Sequence, residues 1–186
     1  MKKIMFFTLF SLAVSMTSNA QERWFTKEAK VNFYCDGSAE KIEAFNNKGV
    51  LVIDAATGQI EVSVLQKAFT FEKALMQEHY NENYVESDKY PKAVFKGTIQ
   101  DAGSVKWTVD GTYPVKLKGQ MTMHGVTNEM TAAATITVKG GKPVGTSTFI
   151  ITLADYKIEI PKLVADKVTE KVRITVEAQL APFVKQ

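Results

Sequence analysis

The stretch YPVKLKGQMTM, residues 113–123, alternates between two kinds of side chain. Its odd-numbered positions are apolar or small, and its even-numbered positions are mostly charged or polar. Successive side chains of a β-strand point to opposite faces, so this pattern predicts a strand with one buried face and one face in water. Such strands build an antiparallel sheet that is wetted on one side.

The same alternation recurs on both sides of this stretch. It is present at 30–35, 42–46, 50–54, 59–65, 92–100, 105–110, 130–138, 146–153 and 168–180. Turn-forming residues separate these segments, notably at 46–49 and 139–143. The count of eight or nine strands with short connections predicts antiparallel pairing of neighbours in a sandwich or a closed barrel. The charged outer face argues against a barrel embedded in an outer membrane.

One segment breaks the alternation: FTFEKALMQEHYNENYVESDKYPKAVF, residues 69–95. Within it Phe71, Leu75, Met76 and Tyr80 fall at helical spacing, which predicts a helix of two or three turns that ends near Tyr80. So short a helix is stable only when it packs against other elements. We expect it to cap one end of the barrel as a lid, with these four side chains turned inward.

The first 20 residues have the features of a secretory signal peptide. Lys2 and Lys3 precede an apolar run at 4–14, and small residues precede a cleavage site after Ala20. The apolar run is shorter than the roughly 20 residues of a membrane-spanning helix. We therefore expect removal of residues 1–20, one exported domain at 21–186, and no stable membrane insertion after cleavage.

Charge and cysteine content narrow the function further. Without Lys2 and Lys3 the chain has 21 basic and 20 acidic residues and no run of like charge, so we expect no nucleic-acid partner. The one cysteine, Cys35, cannot form an internal disulfide. Cys35 alternates in phase with Val31 and Phe33, which predicts a small buried side chain.

Motifs for catalysis or metal binding are scarce. The sequence contains no G-x-S-x-G, H-E-x-x-H or C-x-x-C pattern and no glycine-rich phosphate loop. A metal site would need His79 and His124 together with carboxylates such as Glu78 or Glu82, and their spacing supports no such site. The alternative is that both histidines bond to backbone groups where loops join the barrel. We predict no enzymatic activity and no metal site.

The predicted inner face and lid are rich in aromatic and methionine side chains. Their members are Phe33, Phe69, Phe71, Leu75, Met76, Tyr80, Phe95, Trp107, Tyr113, Leu117, Met121, Met123, Phe149 and Ile151. Methionine is flexible and fills irregular space, so these residues suit either a pocket for an apolar molecule or an ordinary packed core.

Three motifs, in the same order along the chain, resemble those of the YceI-like proteins. LMQEHYNENYVESDKYPKAVF at 75–95 is similar to the family's helix followed by kYPxaxF. GQMTMHGVT at 119–127 resembles its G-x-L-T-x-H-G-V-T hairpin, and LADYKI at 153–158 resembles its L-x-D-[FY]-x-I element. The resemblance covers 25–180 and implies a lipocalin-like, extended antiparallel eight-stranded β-barrel, exported to the periplasm or secreted.

The resemblance also implies an elongated apolar cavity that binds an isoprenoid chain, such as a polyprenyl lipid or a quinone tail. The inner-face residues named above would line this cavity, and we expect no cofactor besides such a bound lipid. The leading hypothesis is therefore an exported lipid carrier.

Two alternatives remain open. In one, side chains fill the barrel and its surface serves as an envelope stress or interaction partner. In the other, the protein is an enzyme or a metal carrier that uses His79 and His124. A homodimer is compatible with the sequence, although nothing in it argues for one.

Overall fold

The computed structural model describes residues 23–36, 41–160 and 169–183. Its strands are β1 (Arg23–Asp36), β2 (Lys41–Asp54), β3 (Gln59–Leu65), β4 (Thr70–Phe71), β5 (Lys92–Gln100), β6 (Gly111–Met123), β7 (Val126–Lys139), β8 (Lys142–Thr152), β9 (Lys171–Gln179) and β10 (Ala181–Pro182). One α-helix, α1, spans Ala74–His79. No helix within these ranges is long and apolar enough to cross a membrane. The predicted signal peptide, residues 1–20, lies outside the described residues.

Eight of these strands close into an antiparallel barrel. In space they follow the order β1, β9, β8, β7, β6, β5, β3 and β2, and β2 pairs again with β1. The two short strands extend the sheet, since β4 pairs with β2 and β10 pairs with β1. The structure confirms the predicted all-β fold, a lipocalin-like eight-stranded barrel with one short helix at an end.

Left-handed two-residue turns close the hairpins on either side of β7. In the β6–β7 turn, His124 and Gly125 have φ values of 52° and 74°. Positive φ at both central residues is the signature of a type I′ turn, whose twist matches that of the flanking strands. β7 therefore begins at Val126, directly after the turn and four residues before the alternation predicted at 130–138.

β2 is one continuous strand, where the sequence predicted two strands divided by a turn at 46–49. The pairing of β1 with β2 shifts register beside Ala29, which lies opposite Gly49. A Cβ on Gly49 would lie 2.9 Å from the Ala29 carbonyl oxygen, so only glycine permits this approach. Asn46 is buried and donates a hydrogen bond to the Leu65 carbonyl (2.9 Å). The turn-forming residues thus produce a local irregularity in a strand.

The predicted strand at 105–110 is wrong. This segment follows a 3₁₀ turn and continues as a loop. Its alternation is real, because Val105 and Trp107 are buried, but these side chains cover one end of the barrel. The Trp107 ring stacks on that of Trp24 in β1, with 6.0 Å between the centroids and 17° between the planes.

The lid helix is shorter than predicted. α1 has only six residues, and the next five, Tyr80–Tyr84, form a wider π-helical turn. Phe71 precedes the helix in β4, where it pairs with Ala44 of β2. Phe71 and Tyr80, two of the four side chains at helical spacing, do come together, with 5.1 Å between their ring centroids, but Phe71 lies in a strand.

Candidate ligand-binding cavity

Two clusters of buried apolar side chains divide the barrel interior along its axis. The cluster at one end, which we call the closed end, contains Trp24 and Trp107. The cluster at the other end, the lid end, contains Phe69 and lies under α1 and the turn that follows it. Val62 and Phe95 face each other across β3 and β5, pack against both clusters, and mark the boundary.

An apolar cavity of about 510 Å³ runs through the barrel. It reaches Ile99 and Leu180 toward the closed end and Lys73 at the lid end. Its volume lies within the roughly 300–1,000 Å³ typical of small-molecule sites. The sequence-predicted residues that line it are Phe33, Phe69, Phe71, Leu75, Met76, Tyr80, Phe95, Leu117, Met121, Met123, Phe149 and Ile151.

Trp107 and Tyr113 do not line the cavity, and their predicted place there is corrected. Trp107 seals the closed end against Trp24. Tyr113 lies at the same end, where its hydroxyl donates a hydrogen bond to the Val109 carbonyl (2.9 Å). Alternation along a strand identifies the inner face but not the depth of a residue along the barrel axis, so it could not separate the floor of the cavity from its walls.

An aromatic cluster joins the lid to the barrel wall. The Phe33 ring of β1 is central to it, with its centroid 5.4 Å from Phe69, 5.5 Å from Phe71 and 5.4 Å from Tyr80. The Tyr80 ring also lies 5.7 Å from Phe69 and 5.1 Å from Phe71. Each pair of this kind contributes about 0.5–1.5 kcal/mol beyond apolar burial. These contacts fix the position of an element that is too short to be stable alone.

A polar pair lies inside this apolar lid end. Tyr80 Oη donates a hydrogen bond to Gln66 Oε1 (2.6 Å). Gln66 lies in the 3₁₀ turn after β3, is 1% exposed, and borders the cavity. Burial raises the pKa of Tyr80 well above its usual value, so the hydroxyl keeps its proton. Gln66 Nε2 is buried and has no hydrogen-bond partner among the described residues.

Leu75 and His79 lie at the mouth of the cavity. Leu75 borders the cavity but is 60% exposed, so the prediction that it turns inward is wrong. His79 is exposed on α1 and borders the same mouth, as does Lys73. Met76, by contrast, is half-buried beneath the helix. The lid is therefore narrow, and the cavity opens beside it.

His124 bonds the segment after the lid to the barrel. Its Nδ1 lies 3.0 Å from the Tyr156 carbonyl oxygen, and its Nε2 lies 3.1 Å from Glu86 Oε2. Both partners are acceptors, so whichever ring nitrogen carries the proton has an acceptor to donate to. For His124 the structure confirms the alternative in which the histidine bonds to a backbone group at a loop junction. Within the described part of the chain, no three His, Cys, Asp or Glu side chains are grouped to hold a metal ion.

The barrel wall has a gap between β7 and β8. Their pairing stops at Ala134 and Ser147, so 127–133 and 148–152 are not paired with each other, and we call this gap the lateral window. Beyond the gap, the turn after β8 contacts β7 again, where Asn128 Nδ2 donates a hydrogen bond to the Asp155 carbonyl (2.7 Å). Small or polar residues border the cavity at the edge of the window, namely Thr135, Gly145, Thr146 and Ser147.

Sequence reasoning missed two kinds of lining residue. Val31, Ile42 and Met130 belong to segments whose alternation was identified, and that period alone places them on the inner face. Gln66 carried no such signal, because a glutamine in a turn ordinarily faces water. Cys35 is buried, as predicted, and it also borders the cavity.

A family model for the YceI-like domain matches residues 23–180. The chain belongs to the YceI-like family. The matched region of this YceI-like chain extends from the start of β1 to the end of β9 and so includes every strand of the closed barrel. Curated protein sequences contain no significant match to it.

Solved structures share the YceI-like barrel at low sequence identity. A polyisoprenoid-binding domain from Saccharophagus degradans, implicated in plant cell wall breakdown, has a TM-score of 0.75 and 13% identity, over 87% of this chain and 98% of that one. BcnA from Burkholderia cenocepacia has a TM-score of 0.68 and 17% identity, over 82% and 96%. The YCEI protein of Campylobacter jejuni has a TM-score of 0.56 and 15% identity, over 100% of both chains. At these identities the likeness shows a common fold.

Proposed function

We propose that this YceI-like protein is an exported carrier that holds one long apolar lipid of the isoprenoid type, such as a polyprenyl chain or a quinone tail. The observation that carries the proposal is the apolar cavity of about 510 Å³ along the barrel axis. Side chains from the barrel strands and the lid line it, and the stacked pair Trp24 and Trp107 seals its far end.

Apolar burial alone can hold such a ligand. Each buried methylene contributes about 0.8 kcal/mol, so a chain of many carbons binds firmly with few polar contacts. The lining includes flexible methionines, Met76, Met121, Met123 and Met130, which adapt to an irregular chain. The Saccharophagus degradans domain, described as polyisoprenoid-binding, has the same barrel and supports this ligand class.

The exported location is part of the proposal and is supported by the signal-like residues 1–20. A lipid with a long apolar chain does not dissolve in water, so its transfer across an aqueous compartment requires a protein that shields it. The apolar interior of the barrel provides that shield.

The alternatives account for fewer of the observations. A barrel filled with side chains would have no cavity of this size. The enzyme or metal hypothesis uses His79 and His124, but His124 Nε2 already faces Glu86 and His79 lies on the exposed side of the cavity mouth. We therefore propose a binding role without catalysis.

Organic extraction tests the proposal. The protein is purified from its native host, extracted with solvent, and the extract is analysed by mass spectrometry. We expect an isoprenoid-type lipid at about one molecule per chain. Repeated extracts without a stoichiometric apolar lipid would contradict the proposal.

A further inference from the structure

The polar pair at the lid end leaves one hydrogen-bond donor unused. Gln66 Oε1 accepts from Tyr80 Oη at 2.6 Å. The fold uses the main chain of Gln66, since its N–H donates to the Pro91 carbonyl (2.9 Å) and its carbonyl accepts from Phe69 N–H (3.2 Å). Gln66 Nε2 is buried without a partner among the described residues. Its hydrogens therefore lack an acceptor among the described residues, at a residue that borders the cavity.

A half-turn rotation of the amide does not remove the unused donor. Nε2 would then donate to Tyr80 Oη, and the Tyr80 hydroxyl proton would become the free donor. Because burial raises the pKa of Tyr80, that proton stays in place. Buried donors without a partner are uncommon. Among the described residues they are Gln66 Nε2 and the indole nitrogens of Trp24 and Trp107, and of these three residues only Gln66 lines the cavity. The pair at Gln66 is therefore expected to serve a third group that carries an acceptor.

The position of the pair limits the chemistry of that group. Gln66 and Tyr80 both border the cavity, beside the ring of Phe69. Toward the closed end the cavity lining is apolar except at the edge of the lateral window, and it ends at Ile99 and Leu180.

The basic side chains that border this end of the cavity, Lys73 and His79, lie exposed at its mouth. An ionised group buried at the pair would therefore lose its hydration and be surrounded by aromatic rings. An uncharged acceptor fits the site.

We propose that Gln66 and Tyr80 form a head-group site for an uncharged carbonyl at one end of the long apolar ligand, and that the ligand's tail extends toward Trp24 and Trp107. A carbonyl oxygen accepts a hydrogen bond from this pair and brings no charge into the apolar site. The inference rests on the proposed function and adds to it the chemical class of the head group and the direction in which the ligand lies.

Two probes of equal length test the site. Delipidated protein is titrated with geranylgeranylacetone, a polyprenyl ketone, and with the hydrocarbon in which a methylene replaces the carbonyl. One added hydrogen bond is expected to make the wild-type protein bind the ketone about 3- to 10-fold more tightly.

The test variant removes both polar groups, because loss of Gln66 alone would free the Tyr80 hydroxyl for the ketone. Gln66→Met with Tyr80→Phe keeps the size of both side chains, and paired replacement of hydrogen-bonding groups by apolar ones is nearly neutral for folding. We expect this variant to lose the ketone preference and to bind the ketone more weakly than the hydrocarbon, because the carbonyl is then buried without a hydrogen bond. The matched control, Gln59→Met with Tyr113→Phe, changes the same residue types outside the cavity lining and is expected to keep the ketone preference.

Equal binding of the two probes by the wild-type protein, or a ketone preference that persists in the double variant, overturns the head-group site and leaves lipid binding intact. Binding of neither probe overturns the proposed function as well. A spectroscopic readout needs no variant: the carbonyl stretching band of the bound ketone is expected at lower frequency than in hydrocarbon solvent. A band at the hydrocarbon-solvent position also overturns the site.

Discussion

Tyr80 combines two kinds of interaction in one side chain. Its ring contacts Phe33, Phe69 and Phe71, and its hydroxyl donates to Gln66. The ring therefore attaches the lid to the barrel. The hydroxyl supplies a hydrogen bond to the side-chain oxygen of Gln66, which the turn after β3 places inside the apolar interior. A phenylalanine would supply only the first of these.

Replacement of Tyr80 by phenylalanine separates the two interactions. Tyr80→Phe keeps the ring contacts but leaves the Gln66 amide buried with neither of its polar atoms paired, which we expect to cost about 1–3 kcal/mol in the free energy of unfolding. Denaturant titration measures the loss. Tyr113→Phe is the control, since its bond to Val109 is exposed and should contribute less. Equal losses in the two variants would contradict the buried role of Tyr80.

Gly119 of β6 allows two backbones to approach closely. It pairs with Gly97 of β5, and a Cβ on Gly119 would clash with the Lys96 carbonyl oxygen and with Gly97 Cα. Gly119→Ala is expected to lower the free energy of unfolding by about 1–3 kcal/mol, because the strands must separate. Gly145→Ala, where a Cβ would meet nothing within 4 Å, should stay within about 0.5 kcal/mol of wild type. A similar loss at both positions in thermal or denaturant unfolding would refute the contact.

At the scale of elements, the lid covers the cavity only in part. α1 is six residues long, and Leu75 lies at the rim with most of its surface in water. The aromatic side chains that close this end come from β1, from Phe69 just before β4, from β4 itself and from the π-helical turn, and none comes from the helix. Substitutions on α1 should therefore affect ligand retention more than barrel stability.

Leu75→Asp tests this division of roles. We expect the unfolding free energy to stay within about 0.5 kcal/mol of wild type, because the side chain is exposed. Lipid affinity should fall roughly tenfold, about 1.4 kcal/mol, because a carboxylate replaces an apolar contact at the rim. Ala74→Asp places the same charge on α1 outside the cavity lining and should retain the lipid. Unchanged lipid binding in Leu75→Asp would remove α1 from the binding site.

The lateral window predicts a pattern of amide exchange in β8. Lys139 and Lys142 flank the two-residue turn and form the first hydrogen-bonded pair of the hairpin. Because such pairs alternate along an antiparallel ladder, the backbone N–H groups of even-numbered residues in β8 point toward β7, and those of odd-numbered residues point toward β9. Thr146 lies within the β7 ladder, but Ile150 lies in the window. The Ile150 amide should exchange at least about tenfold faster than that of Thr146, while Ile151, which faces β9, stays protected. Equal protection of Ile150 and Thr146 by hydrogen-exchange NMR would show that the window is closed.

Period-two alternation predicted most strands but failed where buried side chains do not lie in a ladder. At 113–123 the pattern matched β6 along its length, because every inward residue has a partner in β7 and those from Leu117 to Met121 also have one in β5. At 105–110 the same pattern arose in a loop whose two buried side chains cover the barrel end. Local spacing reports which side chains avoid water, and it does not report what they pack against.

At the scale of the whole molecule, the barrel has two different ends. The closed end is filled by the stacked tryptophans and their apolar neighbours, and the lid end has an opening beside α1 and the polar pair of Gln66 and Tyr80. A ligand therefore has a mostly apolar direction in which to extend and, at the lid end, a buried polar pair that borders the cavity.

The cavity itself could be predicted from the sequence only through the family resemblance. Alternation placed Phe33, Phe95 and Met121 on the inner face, but whether inward side chains meet or leave a space depends on barrel closure and on the fit of distant strands. Gln66 escaped detection for the same reason, because its burial results from the lid that folds over it. Nonlocal packing, more than local pattern, decides these features.

Native mass spectrometry of the intact protein from its host tests the central claim most directly. Val62 lines the cavity at the boundary of the two clusters, and Val62→Trp should fill it, while Glu61→Trp on the outer face of the same strand should not. We predict one lipid per chain in wild type and in Glu61→Trp, and loss of most of that lipid in Val62→Trp, with cooperative unfolding retained in all three. No bound lipid in the wild-type protein, or equal retention in Val62→Trp, would contradict a lipid held inside the barrel.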